Sequence, residues 1–504
     1  MHGFGEAECL KTRNSILKVG KYMNSKNNLY VNYYCTWSNQ VYFGGSTTEG
    51  RDLLDHEQLF GEKGWCRTLY PTIRKSLLFL LDDGWELPYS NGDTSVHDKY
   101  FGSQRIFDDK FPGYGDTPKE CLKTMVENIK SCGWAGAGIW ICAGEEKTVF
   151  DTLKDGVWSD EYWIERLEWS KYAGIAYWKI DWGPYCYDQK WRRFISRKAK
   201  EIYPELIIEH VDPEHPLNDI FKSGHLTTKK LDANRECLSY SDVYRTYDVS
   251  EALTTATTFD RVAELLVSTL PQENESLGFV NCEDQLYMGA ALGLSVGIMR
   301  FPELSGYSQN EVERAMNFIN LAPAFSASSS ENTISDEWLQ DEWFFRDGET
   351  WKPEAFGNFV VQTAPSSIAR NTVLPEVSAD GEKPFVSVCK NPNGVFSIGT
   401  YRRTNVKKSN YVCKADITAF AGDSEVIGIF GEYKSLKLVF NELPKSSKIM
   451  ASDLMLNLTY DITNKIQISE NTIVISGNLI HEIGLSDSFK GDCGDPGMLL
   501  KITK

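Results

Sequence analysis

The chain has 504 residues, about three times the length of a typical domain, which predicts one large domain and a smaller one. Hydrophobic residues make up 41% and charged residues 24%, a composition that excludes intrinsic disorder as the main state of the chain. The formal charge of −17 disfavours nucleic acids and anionic membrane surfaces as partners and is compatible with a neutral substrate.

Neither a membrane span nor a metal framework is expected. No stretch approaches the roughly twenty uninterrupted apolar residues that a membrane helix needs. The segment Met1–Ser15 carries charge and lacks an apolar signal core, so we expect a cytosolic protein or one that begins after a removed signal. The 12 cysteines form no CxxC pair, which disfavours zinc and iron–sulfur sites.

After a lead-in over residues 1–27, short apolar runs alternate with helical patterns up to about residue 330. Eight runs predict strands, namely Leu29–Tyr34, Ser76–Leu81, Gly138–Cys142, Gly174–Ile180, Leu206–Glu209, Ser239–Tyr244, Leu277–Asn281 and Leu294–Met299. The amphipathic stretches between them are Pro118–Ser131, Ser159–Tyr172, Asp188–Ile202, Phe259–Leu270 and Asn310–Asn320. Continuous apolar character is typical of parallel strands covered on both faces, and this order predicts a (β/α)8 TIM barrel over residues 28–330. A doubly wound open sheet is the competitor, but no glycine-rich phosphate turn follows the first strand.

The character of the sequence changes after the barrel. A Ser-rich stretch, Ser326–Glu331, leads into a connector over residues 331–355, which is acidic and aromatic over Asp336–Trp351. From residue 356 to 504 helical periodicity disappears, and short β-rich runs are separated by turn residues. We expect a C-terminal antiparallel β-sandwich domain there.

The candidate chemistry lies where the apolar runs end, because the active site of such a barrel forms at the carboxyl ends of its strands. Three runs end in charged residues, which are Asp82 and Asp83, Lys179 and Asp181, and Arg245 and Asp248. Lys179 and Asp181 are two apart in a strand, so both point into the barrel mouth. Trp37 and Trp140 end two further runs.

Charged hydrogen-bonding groups beside an aromatic platform suit a neutral sugar, and two opposed carboxylates are the minimum apparatus for glycoside hydrolysis. One carboxylate, kept ionised by Lys179, would be the nucleophile, and the other would hold a proton as general acid. Each feature also has an ordinary structural interpretation. Asp-Asp-Gly is usually a turn, Lys-x-Asp a structural ion pair, Arg245 with Asp248 a solvated loop pair, and a strand-end tryptophan a core cap. Their occurrence together at strand ends of one barrel favours the functional interpretation.

At these residues the sequence resembles the α-galactosidase clan of glycoside hydrolases, clan D, nearest to family 27 and related to family 36. The segments that carry the resemblance, in order, are Leu81-Asp82-Asp83-Gly84-Trp85, Gly138-Ile139-Trp140, Tyr177-Trp178-Lys179-Ile180-Asp181, Asn281-Cys282-Glu283-Asp284-Gln285-Leu286 and Ala322-Pro323-Ala324-Phe325-Ser326. They are similar to the D-D-x-W, G-[IL]-[YW], K-x-D, N-D-P-D-M-L and A-P-L-hydrophobic-S segments of the family, and Trp37 sits where the family has a tryptophan after the first strand.

Two segments depart from the family pattern. Around the acid/base the family has W-R-x-x-x-D, whereas Tyr244-Arg245-Thr246-Tyr247-Asp248 is one residue shorter. After the fifth strand, the S-C-E-W-P segment that reads the sugar 2-position is replaced by Glu209-His210-Val211-Asp212-Pro213. The identity of the acid/base and of the sugar therefore stays open at this point.

The resemblance implies a retaining, exo-acting α-glycosidase, with an α-galactosidase as the leading prediction and a carbohydrate as its partner. Asp181 would be the nucleophile and Asp248 the acid/base, with Asp242 and Asp212 as alternatives. The remaining roles implied are hydroxyl binding by Asp82, Asp83 and Lys179, a contact near the 2-position by Arg245, and apolar walls from Trp37 and Trp140. No metal or organic cofactor is expected. The alternatives are an α-N-acetylgalactosaminidase, a β-L-arabinopyranosidase, a transglycosylase with the same nucleophile, or a carbohydrate-binding barrel without catalysis.

Overall fold

Eight short parallel strands form a barrel in the computed structural model. The structure describes residues 31–146, 158–186, 188–211, 228–246, 255–268, 278–304, 308–342, 363–405, 409–443, 447–488 and 491–503. The barrel strands are β1 (Tyr33–Cys35), β2 (Leu78–Leu81), β3 (Gly136–Ile141), β4 (Tyr177–Ile180), β5 (Ile207–Val211), β6 (Val243–Arg245), β7 (Phe279–Asn281) and β8 (Gly297–Ile298). Each strand from β1 to β6 pairs with the next in parallel, and β8 pairs in parallel with β1.

The barrel closes between β7 and β8 through a bridge that pairs Asn281 with Ser295. The Ser295 N–H donates to the Val280 carbonyl at 3.0 Å, and the Cys282 N–H donates to the Ser295 carbonyl at 3.2 Å. The predicted TIM-barrel fold is therefore confirmed. All eight strands are almost wholly buried, which explains their continuous apolar character.

Helices lie between the strands. Their bounds are Trp37–Gly44, Thr47–Asp52, His56–Phe60, Trp65–Thr68, Ser95–Asp98, Pro118–Ser131, Asp160–Ala173, Gln189–Ile202, Thr228–Tyr240, Thr255–Ser268, Leu286–Leu292, Gln309–Leu321 and Gly477–Gly484, with short 3-10 turns at Arg74–Ser76, Ala327–Ser329 and Thr463–Lys465. The helix at Pro118 begins where the sequence predicts, because proline occupies its first turn and the Glu120 carboxylate accepts a hydrogen bond from the Thr117 N–H at 3.1 Å. No helix in the described ranges is both long enough and apolar enough to cross a membrane.

Six of the eight predicted barrel strands are longer than the observed ones, whereas β3 and β5 are each one residue longer than predicted. The run predicted over Ser239–Tyr244 begins inside the helix Thr228–Tyr240, and the strand proper is Val243–Arg245. Apolar residues on the inner face of a helix continue directly into the strand that follows. Composition alone therefore does not mark the boundary between the two elements.

The C-terminal region is a sandwich of two sheets. The larger sheet has eight strands in the order Thr459–Asp461, Lys448–Asp453, Gly497–Thr503, Val426–Phe430, Phe396–Tyr401, Phe385–Lys390, Ser367–Arg370 and Asn332–Ile334. The smaller has five, in the order Glu376–Ser378, Asp416–Gly422, Ser435–Phe440, Thr472–Ser476 and Gln467–Ser469. Two short ribbons pair Trp338–Gln340 with Thr363–Pro365, and Arg403–Thr404 with Asn410–Tyr411.

One hydrophobic core lies between the two sheets, with Ile398 and Ile429 from the larger sheet packing in the same cluster as Leu438 and Ile473 from the smaller. Most pairings are antiparallel, as the sequence predicts. Among the described strands three neighbouring pairs run parallel, which are Ser367–Arg370 with Phe385–Lys390, Phe396–Tyr401 with Val426–Phe430, and Asp416–Gly422 with Ser435–Phe440.

The sandwich packs directly on the barrel. Arg314, on the helix Gln309–Leu321, donates to both carboxylate oxygens of Asp453 at 2.7 and 2.9 Å, and both side chains are fully buried. Beside this pair, Phe430 contacts the rings of Tyr287 and Phe318, with centroids 4.8 and 5.1 Å away. The sandwich therefore stabilises the last helices of the barrel, on the side remote from β4.

Candidate active site

Asp181 follows the carboxyl end of β4. Its Oδ2 accepts a hydrogen bond from the indole Nε1 of Trp140 at 3.2 Å, and its Oδ1 lies 3.5 Å from Nη2 of Arg245. The side chain is 17% exposed, more than that of Asp82, Asp83 or Lys179. Burial favours the neutral acid, but Arg245 and Lys179 outweigh it and hold the pKa of Asp181 below its ordinary value. Asp181 is therefore an ionised carboxylate that faces the barrel mouth.

A three-member polar cluster lies beside it. Oδ2 of Asp82 accepts from Nζ of Lys179 at 2.7 Å and from the thiol of Cys35 at 3.0 Å. Burial alone would lower the pKa of Lys179, but Asp82 reverses the shift and raises it. Burial raises the pKa of Cys35 well above its usual value, so this residue is a thiol that donates its proton to Asp82. Cys35 was not among the predicted site residues.

Asp83 forms a two-pronged ion pair with Arg51, whose Nε and Nη2 lie 3.1 and 2.7 Å from its two carboxylate oxygens. The Trp182 side chain donates a further hydrogen bond to Asp83. Burial raises the pKa of Asp83, and Arg51 opposes that rise. Nζ of Lys110 donates to the Arg51 carbonyl at 2.8 Å and to the Gly84 carbonyl at 3.3 Å, which ties the helix Thr47–Asp52 to the turn after β2.

This turn requires glycine at position 84. Gly84 has φ +113°, and a Cβ there would lie 2.7 Å from the Arg51 Cα. We expect Gly84→Ala to lower the free energy of unfolding by about 1–3 kcal/mol from backbone strain, plus a further loss as Arg51 is displaced. Chemical denaturation measures the change. Gly92→Ala is the matched control, because Gly92 also has positive φ (+83°) but no atom lies within 4 Å of its added Cβ.

Equal losses for the two glycine variants would contradict the steric argument, since only the variant at position 84 should disturb the ion pair between Arg51 and Asp83.

Arg245, at the end of β6, contacts three carboxylates from three other strands. Its Nε lies 3.1 Å from Glu209 Oε1, its Nη1 donates to Glu283 Oε1 at 3.0 Å, and its Nη2 faces Asp181. Glu209 also accepts from the hydroxyls of Tyr177 at 2.6 Å and Tyr33 at 3.3 Å. Burial raises the pKa of Glu209 although Arg245 opposes the shift, and the three carboxylates in turn raise the pKa of Arg245 well above its usual value.

Glu209 and Glu283 were not predicted as site residues. Glu209 ends the predicted run Leu206–Glu209, and Glu283 follows the run Leu277–Asn281. The rule that found Asp82 and Asp181, a polar residue at the end of an apolar run, would therefore have found these two as well. Arg51 has no such signal, because it lies on a helix between strands. Its role emerges only from the contact with Asp83.

The other predicted site residues occupy varied positions. Trp140 is 1% exposed and donates to Asp181, so its indole N–H rather than its ring face contacts the site. Trp37 is half-buried at the start of the helix after β1, and its backbone N–H bonds to Cys35. Asp242 precedes β6 at the opposite end of the barrel, where it pairs with Lys200 at 2.7 Å, so the structure does not bring it to Asp181. The preferred acid/base, Asp248, and its alternative Asp212 lie outside the described residues.

Neither a protein-family model nor a curated protein matches the chain. Two similar solved structures are Bacteroides fragilis proteins assigned as alpha-galactosidases. Both are 10% identical over 94% of this chain, with coverage of 79% and 78% of their own chains and TM-scores of 0.39 and 0.38. An alpha-amylase from Geobacillus thermoleovorans, solved with acarbose, is 8% identical over 94% of this chain and 98% of its own, with a TM-score of 0.38. At such identities and TM-scores the likeness assigns no family and no function to this chain.

Proposed function

We propose that this protein is a retaining glycoside hydrolase that removes terminal α-galactosyl groups, with Asp181 as its nucleophile. The observation that carries the proposal is the state of Asp181, a partly exposed carboxylate at the barrel mouth that Arg245, Lys179 and Trp140 hold ionised. A nucleophilic carboxylate needs this environment, because it must be unprotonated and oriented at neutral pH.

The reaction would proceed in two displacements. Asp181 attacks the anomeric carbon and forms a glycosyl ester while the bond to the leaving oxygen breaks and that oxygen takes a proton from the general acid. Water then attacks the same carbon, gives its proton to the general base, and frees Asp181 with the sugar in its original configuration. We assign the acid/base role to Asp248, on the sequence resemblance alone.

The sugar would lie above the cluster of Asp82, Cys35 and Lys179. These groups and Asp83 are almost wholly buried and already paired, so they form a rigid polar floor under the site. Such preorganised charge costs little reorganisation when a hydroxyl displaces one partner. The segments around these residues that resemble the α-galactosidase clan, Leu81-Asp82-Asp83-Gly84-Trp85 and Tyr177-Trp178-Lys179-Ile180-Asp181, support galactose as the sugar.

The group that contacts the sugar 2-position distinguishes the candidate substrates. Glu209, which stands near the position of the family's 2-position segment, is fully buried and engaged by Arg245 and Tyr177. The Glu209 carboxylate therefore positions Arg245 and does not extend toward the sugar. An α-N-acetylgalactosaminide or a β-L-arabinopyranoside remains an alternative substrate for this reason.

The experiment is the release of nitrophenol from a panel of α- and β-nitrophenyl glycosides, followed by proton NMR of the sugar first released. We expect turnover of the α-galactoside, with the α-anomer appearing before mutarotation. Turnover of the acetamido or arabinosyl substrate alone would change the sugar but keep the mechanism. A β-anomer released first from the α-galactoside would contradict retention, and galactose binding without turnover of any glycoside would indicate a binding protein.

A further inference from the structure

Glu283 is a buried acidic residue of the barrel interior whose carboxylate is only partly paired. It follows β7, and its side chain is 1% exposed. Oε1 accepts from Nη1 of Arg245 at 3.0 Å, whereas Oε2 is buried and has no hydrogen-bond partner among the described residues. A buried carboxylate oxygen without a partner is costly, so such a group commonly has a functional explanation.

The backbone at this position is also unfavourable. Glu283 has φ +50°, a left-handed conformation that glycine or asparagine adopts more readily than glutamate. Its N–H donates to Oδ1 of Asn281 at 2.7 Å, which stabilises the turn. The strained turn directs the Glu283 carboxyl group inward onto the guanidinium of Arg245.

Glu283 and Asp181 share one guanidinium. The Nη1 atom of Arg245 bonds to Glu283 at 3.0 Å, and its Nη2 atom faces Asp181 at the longer distance of 3.5 Å. Both carboxylates interact with the same positive charge. Any change in the charge of Glu283 therefore alters the strength of the electrostatic interaction between Arg245 and Asp181.

The charged and titratable groups that act on Glu283 come from several strands. They are Arg245 on β6, Lys179 on β4, Glu209 on β5, Tyr33 on β1 and the adjacent Cys282. Burial raises the pKa of Glu283 to about 7, even though Arg245 and Lys179 favour its ionised form. The carboxyl group therefore changes its charge near neutral pH, while Asp181 stays ionised to much lower pH.

We propose that Glu283 is a positioning residue for Asp181. When Glu283 releases its proton, the electrostatic attraction between Arg245 and Asp181 weakens, and when Glu283 takes the proton back, that attraction is restored. The inference rests on the proposed glycosidase activity and extends it. In the protonated state of Glu283, the anionic groups that face Arg245 among the described residues are Asp181 and Glu209. In the ionised state, Glu283 competes at shorter range, and the buried cluster gains one more negative charge.

The test compares Glu283→Gln with the full-length wild type in pH profiles of kcat/KM on the glycoside that the wild type hydrolyses. The protonated fraction of a group that titrates at about pH 7 falls about tenfold between pH 6 and pH 8, so we expect a fall of up to about tenfold in the wild type. The glutamine variant should lack the inflection near pH 7 and keep, on the alkaline side, only the limb that the general acid sets. Its acid limb should stay in place, because wild-type Glu283 is already neutral where Asp181 titrates.

Two further variants separate positioning from simple structural support. Glu283→Asp keeps an ionisable carboxyl group and should keep an inflection, displaced in pH. Glu311→Gln is the matched control, because Glu311 is likewise paired with an arginine, Arg300, at 3.1 Å, but its partner does not contact Asp181. Its pH profile should match that of the wild type. Thermal unfolding of each variant verifies that it is folded.

Infrared spectroscopy follows the Glu283 proton without any turnover. In the wild type, the carbonyl band of protonated Glu283 should vanish as the pH passes about 7. In Glu283→Gln this band should be missing at every pH. Glu86, whose pKa burial raises to about 8, should contribute its band to both spectra. A glutamine variant that loses the band yet keeps the wild-type pH profile would overturn the inference.

The proposed function and the inference fail in different ways. If the wild type hydrolyses no glycoside, the pH dependence of galactose affinity replaces that of kcat/KM. An inflection near pH 7 that is present in the wild type and lost in Glu283→Gln would then overturn the glycosidase but support the coupling. A pH-independent affinity in both proteins would overturn the inference as well.

Discussion

Asp181→Asn should lower kcat by a factor on the order of 10⁴ or more on the glycoside that the wild type hydrolyses. The amide is neutral and cannot form the glycosyl ester, although it occupies nearly the same volume as the carboxylate. Binding of galactose should persist, because the groups beneath the site, Asp82, Cys35 and Lys179, are unchanged. Steady-state kinetics and calorimetric titration of galactose measure the two effects separately.

The control for this variant is Asp341→Asn. Asp341 is likewise paired with an arginine, with Nε of Arg403 2.8 Å away, but it is fully buried and lies in the C-terminal region. This variant should keep its turnover even if its stability falls. Loss of activity in both variants would point to a general effect of breaking a buried ion pair rather than to the chemistry of Asp181.

Azide provides a positive test of the same role. Asp181→Ala leaves a gap on the face from which the nucleophile attacks, and a small anion that enters the gap can attack the anomeric carbon of an activated nitrophenyl glycoside. The expected product is a glycosyl azide of inverted configuration, with nitrophenolate as the leaving group. If azide restores no nitrophenol release to the alanine variant, another carboxylate must be considered as the nucleophile.

Arg245→Gln should cause the largest loss of stability in the barrel, roughly 3–5 kcal/mol at pH 8. The guanidinium is fully buried among Asp181, Glu209 and Glu283, and its removal leaves buried carboxylates without their shared counterion. Chemical denaturation at pH 8 and at pH 5 measures the loss. We expect it to be smaller at pH 5.

The sign of this pH dependence follows from the two glutamates. Burial already raises the pKa of Glu209 and Glu283 in the folded protein, and without Arg245 both values rise further above those of the unfolded chain. Near neutral pH the folded state then binds more protons than the unfolded state, so its stability falls as the pH increases. At pH 5 both groups can be protonated, and the repulsion is largely relieved.

Arg370→Gln is the matched control for this prediction. Arg370 is equally buried, but it donates to the carbonyl oxygens of Leu292, Gly293 and Phe325 and stacks on the Phe325 ring. Its replacement should also destabilise the protein, but by similar amounts at pH 5 and pH 8. A pH-independent loss for Arg245→Gln would contradict the view that its main role is to compensate the carboxylates.

The sequence is sufficient to predict the fold class. Strands buried on both faces must be apolar throughout, so each of the eight barrel strands is visible as an apolar run. The helix Pro118–Ser131 is predicted at both ends, because its capping residues and its apolar face are local features. The exact strand lengths are not local, since pairing with both neighbours around a closed barrel decides which residues of each run are hydrogen-bonded.

The candidate site divides in the same way. The two-residue period of a strand places Lys179 and Asp181 on one face, so their inward direction is a property of the sequence. Which charges pair is decided only by the tertiary structure: Lys179 binds Asp82, Arg51 binds Asp83, and Arg245 becomes the shared partner of Asp181, Glu209 and Glu283. The physical reason is that electrostatic pairing depends on distance and burial, and closure of the barrel brings together groups that are far apart in the chain.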